Sequence, residues 1–159
     1  RAGNRHPSIV PYETFRAADG YFNLGAANDG HFRKVCEAIG RPDLARDARF
    51  TTNPERVANR DALFVELQAV FVTAPVDAWV LKFEAAEIPA GRINTVAEAL
   101  AHPQLRARGM VTTVTHPVTG EIPQVGIPVK LGETPGAIDR PPPRLGEHTA
   151  EILAALGIS

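Results

Sequence analysis

A chain of 159 residues has the length of one domain and can bury roughly two-thirds of the surface its unfolded form exposes, enough for a core without disulfide staples. Its 17 basic and 18 acidic residues leave a net charge of -1 with both signs interspersed, a field too weak to hold nucleic acid or an anionic membrane. The single cysteine, Cys36, excludes an internal disulfide, fits a reducing compartment and stands at an apolar helical position, where a buried inert thiol is the ordinary outcome.

The stretch from Gly3 to Phe32 is the one the rest of the chain is arranged around. Pro7 and Pro11 fix φ at two points and bias Arg5-His6 and Val10 toward extended backbone. A loop stiffened in this way serves equally to hold side chains beside a ligand or to join two domains, and the spacing alone does not choose between them. Asp19-Gly20, flanked by Thr14-Phe15 and by Tyr21, Phe22 and Leu24, is the signature of a hairpin. Asn28 and Asp29 then offer N-caps, and Phe32, Val35, Cys36 and Ile39 recur at helical spacing until Gly40 stops the run. His31 lies beside this apolar stripe, where a packed or surface imidazole is the simpler reading.

Residues 41–53 read as an irregular loop in which Phe50 plugs a hydrophobic gap. Asn53-Pro54 predicts a helix start, with Val57, Leu63, Phe64, Leu67, Val70 and Phe71 marking a buried face as far as about Val72. Thr73 and Pro75 repeat the signal for a second helix with Val76, Trp79, Val80 and Phe83 inward, so two antiparallel helices are expected, with Trp79 in the core. The apolar region from Leu63 to Leu81 is interrupted by Glu66, Gln68 and Asp77, so no membrane span is expected and the reading is a cytoplasmic protein.

Ile88-Pro89-Ala90-Gly91 turns the chain into a short extended piece, Arg92 to Asn94, and Thr95-x-x-Glu98 is a capping box for a brief helix to Ala101. Pro103 starts another helix that ends at Gly109. The valine- and threonine-rich run from Met110 to Thr115 reads as a strand, turned back at residues 118–121 into a second from Ile122 to Val129, where Pro123 and Pro128 confine it to an edge or break it into pieces. His102 and His116 each precede proline, a common turn context. Residues 132–144, with three consecutive prolines at Pro141 to Pro143, form an extended connector, and Thr149 caps a last helix from Ala150 to Leu156 closed by Gly157. Ile152, Leu153 and Leu156 on that helix can be buried only against something else, and without it the tail is expected to fray.

The fold class that follows is α+β: hairpins from the two ends of the chain forming one small antiparallel sheet packed on a helical cluster, since each pair alone is small for independent stability. Residues 1–131 are expected as the domain and 132–159 as connector and tail. Of chemistry-bearing motifs there is no G-x-G-x-x-G, P-loop, G-x-S-x-G, H-E-x-x-H or paired cysteine. No catalytic residue, metal ligand or bound cofactor is assigned.

An ordered series of short motifs does carry a family resemblance. Gly3-Asn4-x-His6-Pro7-x-x-Val10-Pro11-Tyr12-x-x-Phe15-x-x-x-Asp19-Gly20 resembles the start of the smaller domain of the class III CoA-transferases, the family of formyl-CoA transferase, carnitine CoA-transferase and the α-methylacyl-CoA racemases. Asp47-x-Arg49-Phe50, Arg56-x-x-Asn59-Arg60, Ile88-Pro89-Ala90-Gly91, His102-Pro103-Gln104 and Leu145-Gly146-Glu147-His148-Thr149 follow in the same order. The resemblance implies a mechanism in which an aspartate carboxylate attacks an acyl-CoA thioester and passes through an anhydride and an enzyme-CoA thioester to a new acid, which is covalent catalysis. That aspartate belongs to a large domain ahead of Arg1. With no initiator methionine and the motifs starting at Gly3, the chain is expected to be the isolated smaller domain, inactive alone, of a protein acting on acyl-CoA and a carboxylic acid and forming an interlocked homodimer.

By resemblance the loop from Gly3 to Tyr12 lines the acyl pocket, which nominates Gly3, Asn4, His6, Pro7 and Tyr12 as substrate-binding residues. Formyl-CoA transferase has consecutive glycines there, and the bulkier His6-Pro7-Ser8 suggests a different acyl group from oxalyl or formyl. A structural role is the alternative for two of them, Tyr12 packing under the hairpin and His6 capping a turn. The same domain from a racemase or isomerase, or a binding module without catalysis, are the competing readings of the whole.

Overall fold

The structure, a computed structural model, describes residues 3–158. The chain divides into two compact units, one up to Ile93 and the other from Asn94 onward.

The first unit is built on a hairpin. Strands β1 (Tyr12–Arg16) and β2 (Tyr21–Gly25) pair antiparallel around Asp19-Gly20, with Phe15 opposite Phe22 and Thr14 opposite Asn23. Alternation puts Phe15, Phe22 and Leu24 on the buried face and Tyr12 and Asn23 on the outer one. Helix α1 (Asp29–Ala38) begins where the Asn28 side chain accepts the His31 backbone N–H at 2.8 Å, buries Phe32, Val35 and Cys36, and stops at Gly40, whose φ of 74° is open chiefly to glycine. The following loop holds one 3-10 turn (Leu44–Arg46) and a fully buried Phe50, the hydrophobic plug expected of it.

The single helix expected from Asn53 to Val72 is two, α2 (Asn53–Ala58) and α3 (Arg60–Phe71). The break falls at Asn59, whose φ of −110° and ψ of 27° leave the helical region and whose side-chain amide adds bonds to the Glu55 carbonyl at 3.0 Å and the Arg49 carbonyl at 3.3 Å. The cap is Thr52, one residue earlier than expected, and Glu55 closes a capping box by accepting the Thr52 backbone N–H at 2.9 Å. Helix α4 (Val76–Ala85) starts on the Asp19 carboxylate, which accepts the Val76 N–H at 2.8 Å, so the hairpin turn residue is also a helix cap. The chain turns by 110° between α3 and α4, well short of the antiparallel pair expected, and among the described residues no single helix is long and apolar enough to cross a membrane.

Phe71 is the hub of the core, with ring centroids 4.9 to 6.0 Å from Phe15, Phe22, Trp79 and Phe83 and mostly edge-on to them. Trp79 is buried, as expected, and its indole N–H donates to the Phe71 carbonyl at 2.8 Å. Strand β3 (Ala90–Arg92) completes the sheet by pairing antiparallel with β2, in the order β1-β2-β3.

In the second unit α5 (Val96–Ala101) opens on the Thr95-Glu98 capping box, and α6 (Pro103–Ala107) on His102, whose Nδ1 accepts the Gln104 N–H at 3.2 Å. Strands β4 (Val111–His116) and β5 (Gly120–Val125) form a hairpin in which His116 Nδ1 accepts the N–H groups of Val118 and Thr119 at 3.1 and 3.2 Å. Pro123 sits opposite Thr113 in this two-stranded ribbon, where every strand is an edge and a missing N–H is tolerated. Helix α7 (Thr149–Ala155) begins one residue before the position expected and is a formed helix, with Ile152, Leu153 and Leu156 exposed.

The α+β class holds, but the expected single sheet does not. The two hairpins belong to separate sheets, because the open edge of β2 is taken by β3 rather than by the C-terminal hairpin.

Candidate functional site

The loop ahead of β1 is held at four of its carbonyls by side chains from α2 and α3. Arg60 Nη2 donates to the carbonyls of His6 at 2.7 Å and Pro7 at 3.3 Å. Asn53, freed from capping, donates to the Ser8 carbonyl at 2.7 Å and accepts the Val10 N–H at 3.1 Å. Arg56 is fully buried; its Nε donates to the Val10 carbonyl at 2.6 Å, its Nη1 to the Phe50 carbonyl at 3.0 Å, and its Nη2 pairs with Asp29 at 2.8 Å, while the guanidinium lies 4.4 Å from the Phe32 ring centroid. A buried cation is costly unless its donors are matched, and here several point at fixed acceptors.

The buried face of β1 adds a second fastening. Glu13 is only 3% exposed and pairs with Arg5 Nε at 2.8 Å, and Arg5 also reaches Asp61 at 3.1 Å and lies across Phe64. Burial pushes the Glu13 carboxyl above its ordinary range, outweighing the opposing pull of Arg5 and Arg60. Glu13 Oε1 and Arg60 Nη1 are buried without a hydrogen bond to any of the described residues.

On the outer face the polar groups form a short network. Asn4 Oδ1 accepts the Thr14 backbone N–H at 3.2 Å, and Asn4 Nδ2 donates to Thr14 Oγ1 and, at 2.8 Å, to Asn23 Oδ1. The Thr14 hydroxyl donates to the same Asn23 oxygen at 2.7 Å. Together with His6 N–H to the Tyr12 carbonyl at 3.0 Å, and the Gln68 amide exchanging two bonds with the Arg16 backbone, this closes the edge of β1. Tyr12 stands over Gly25, where a side chain would meet the ring at 3.0 Å, and the His6 ring lies 5.3 Å from it.

The result is a cleft of about 470 Å³ bordered by Asn4, Tyr12, Asn23 and Gly25, by Pro89 just ahead of β3 and by Gly91 within it. Glycine at 25 makes room for the Tyr12 ring, and glycine at 91, with open space above it, lets a ligand approach the backbone. Of the five nominated residues, Asn4 and Tyr12 border the cleft. His6 supports Tyr12 and its Nδ1 accepts the Ser8 N–H at 3.2 Å. Gly3, at φ 66°, and Pro7 are exposed and do not border it. Tyr12 does not pack under the hairpin; it is on the outer face and nearly half exposed.

Asn53, Arg56 and Arg60, which position the loop, and Asn23, which faces the cleft, are functional candidates that the sequence reading missed. The arginines had a signal: Arg56 and Arg60 stand seven residues before Leu63 and Leu67, in phase with the buried stripe. Elsewhere burial pushes the Cys36 thiol up to about 12, so it is unreactive. The cleft can bind and orient; among the described residues it holds no nucleophile with an adjacent base.

Comparison with known proteins gives this arrangement its family. The profile of CoA-transferase family III matches residues 1–149. An acyl-CoA transferase from Fusarium pseudograminearum is 40% identical over 99% of this chain and 35% of its own length, and a succinate–glutarate CoA-transferase from Agrobacterium fabrum is 38% identical over 98% of this chain and 39% of its own. Among solved structures, a CAIB/BAIF family protein from Brucella suis superposes with a TM-score of 0.79 and 40% identity, covering 98% of this chain and 40% of that one. The chain thus spans about 35–40% of the length of these relatives. With the profile matched over nearly its whole length, the chain belongs to CoA-transferase family III.

Proposed function

We propose that this chain is the smaller domain of a cytoplasmic acyl-CoA:carboxylic acid CoA-transferase, and that its contribution is one wall of the acyl pocket. The observation that carries the reading is the rigid loop from Gly3 to Tyr12, anchored by Asn53, Arg56 and Arg60 and presenting Asn4 and Tyr12 at a cleft. Fixing a pocket wall in advance lowers the ordering cost of binding and holds the reacting group in line. The covalent chemistry is assigned to an aspartate outside the chain, so the chain alone is inactive toward acyl-CoA. The relatives named above are transferases, which favours transfer over racemisation. The whole protein is an interlocked homodimer on this reading, with acyl-CoA and a free carboxylic acid as its substrates.

The test is to incubate the whole protein with an acyl-CoA and a free acid acceptor, with the 159-residue chain in parallel. Transfer by the first and none by the second is expected; turnover by the chain alone overturns the assignment. His6→Ala and Tyr12→Phe in the whole protein should change the ratio of kcat/KM between a short and a long acyl-CoA by the factor of about ten that one pocket contact supplies, with the covalent intermediate still formed. An unchanged ratio with a lowered Tm would leave the loop a structural part only.

A further inference from the structure

We propose that Asn23, turned by Asn4, is a ligand-binding residue whose side-chain amide donates to an uncharged carbonyl oxygen. This rests on the reading of the cleft as part of an acyl-CoA enzyme, and it supplies the chemical class of what the cleft holds.

The orientation of Asn23 follows from a backbone group that has no choice. The Thr14 N–H can only donate, so the Asn4 atom 3.2 Å from it is the oxygen. The other end of Asn4 is then its NH2, and the Asn23 atom that it meets at 2.8 Å must be an acceptor, Oδ1. The Thr14 hydroxyl, already accepting from Asn4, gives its one proton to the same oxygen at 2.7 Å. Asn23 Oδ1 therefore faces the network, and Nδ2 is directed away from it, on a residue that borders the cleft. No protein acceptor among the described residues takes the Nδ2 hydrogens. Two asparagines and a threonine on one small sheet face, locked head to tail, present one amide donor in one direction.

The walls say what kind of acceptor suits it. Tyr12, seated over Gly25, contributes an aromatic face with a hydroxyl tip, Gly91 leaves the backbone uncovered, and Pro89 is apolar. Among the described residues no cationic side chain borders the cleft. The carboxyl group that borders it among the described residues, Glu13, is on the buried strand face and paired with Arg5. A carboxylate would exchange its hydration for neutral donors only, an unfavourable trade, whereas an amide or ketone carbonyl loses little. In an acyl-CoA such carbonyls occur in the pantetheine arm and within functionalised acyl chains.

The experiment uses the 15N-labelled 159-residue chain and follows the side-chain NH2 resonances of Asn23, with three probes: pantetheine, 4-oxopentanoate and glutarate. A shift with pantetheine identifies the arm, and a shift with 4-oxopentanoate an acyl carbonyl; either supports the proposal. Asn23→Asp keeps the acceptor for Asn4 and Thr14 but removes the donor, and should weaken binding about fivefold, read from the backbone amides of Gly25 and Gly91. Asn4→Asp keeps the acceptor for the Thr14 N–H but turns the Asn23 amide round toward itself, and should give the same weakening although Asn23 is intact. No shift with any probe, glutarate binding as tightly as the others, or undiminished binding in Asn23→Asp would each overturn the proposal. A whole protein without transferase activity would instead overturn the reading beneath it, since these titrations require no turnover.

Discussion

The units on either side of Ile93 use the same parts, an antiparallel strand pair and short capped helices, but only the first surrounds them with apolar side chains. The buried hydrophobic residues run from Val10 to Ile88. From Asn94 onward the described residues that are buried are His116 and Gly126. The first unit is therefore held by side-chain packing, with local bonds as refinements; the second is held by local bonds, in ribbon, caps and turns, with little packing beneath them. Hydrogen bonds contribute modestly in net terms and burial supplies the larger driving force, so stability is unevenly divided along this chain.

The largest expected effect tests the packed side of that contrast. Phe71→Ala removes the ring that four other aromatic side chains meet and should cost about 3–5 kcal/mol, seen in denaturant melts followed by Trp79 fluorescence. Val125→Ala on the exposed ribbon should change the same transition by less than about 0.5 kcal/mol. Equal effects at the two sites would remove the distinction.

Next in size is Arg56→Met, which keeps much of the bulk but leaves the Val10 and Phe50 carbonyls unpaired in the core. A loss of about 2–3 kcal/mol is expected, moderated because Asp29 remains half exposed and keeps its water. If the Gly3–Tyr12 loop keeps its amide-exchange protection in this variant, the helix side chains do not hold it.

Glu13 gives a smaller, pH-dependent signal of defined sign. Its folded-state pKa lies above the ordinary 4.5, so below that pH the carboxyl is protonated folded or unfolded and burial costs nothing extra. As pH rises through the raised folded value, ionisation favours the unfolded chain and stability is lost. The stability of the wild type relative to Glu13→Gln should therefore fall with rising pH in that window and be level outside it. A difference that grows with pH would mean that the Arg5 ion pair, rather than desolvation, governs the site.

How much of this was legible beforehand follows the same division between local and distant causes. The Asp19-Gly20 hairpin, the Asn28 cap, the Gly40 stop and the Thr95-Glu98 box depend on residues a few positions apart, and they stand where composition and spacing put them. Asn53 was misassigned as a cap because its partner, the loop at Ser8 and Val10, is 43 to 45 positions away, and the adjacent Thr52 does the capping. Pairing of β3 with β2 spans nearly 70 positions and displaced the expected partner strand. Of the candidate site, the loop was visible through its two prolines and its family pattern. Its anchors Arg56 and Arg60 left a trace in their phase with the buried stripe, but the loop carbonyls that they hold, and the donor Asn23, became visible only through distant contacts.

The smallest expected effect uses one motif in both settings. Thr52-x-x-Glu55 opens α2 and Thr95-x-x-Glu98 opens α5, each with the glutamate accepting the threonine backbone N–H, at 2.9 and 2.8 Å. Threonine to alanine at an N-cap costs about 1 kcal/mol or less in either case, but where the loss appears should differ. In α2 the helix is also tied down by Arg56 and Asn53, so it cannot melt alone, and Thr52→Ala should shift the cooperative unfolding transition of the packed unit. Helix α5 buries no residue. Thr95→Ala should therefore leave the Trp79 transition in place and instead speed amide exchange at Ala99 and His102, whose N–H groups bond back into that short helix. If both variants moved the Trp79 transition alike, α5 would share the cooperativity of the core, and the division of stability at Ile93 would be wrong.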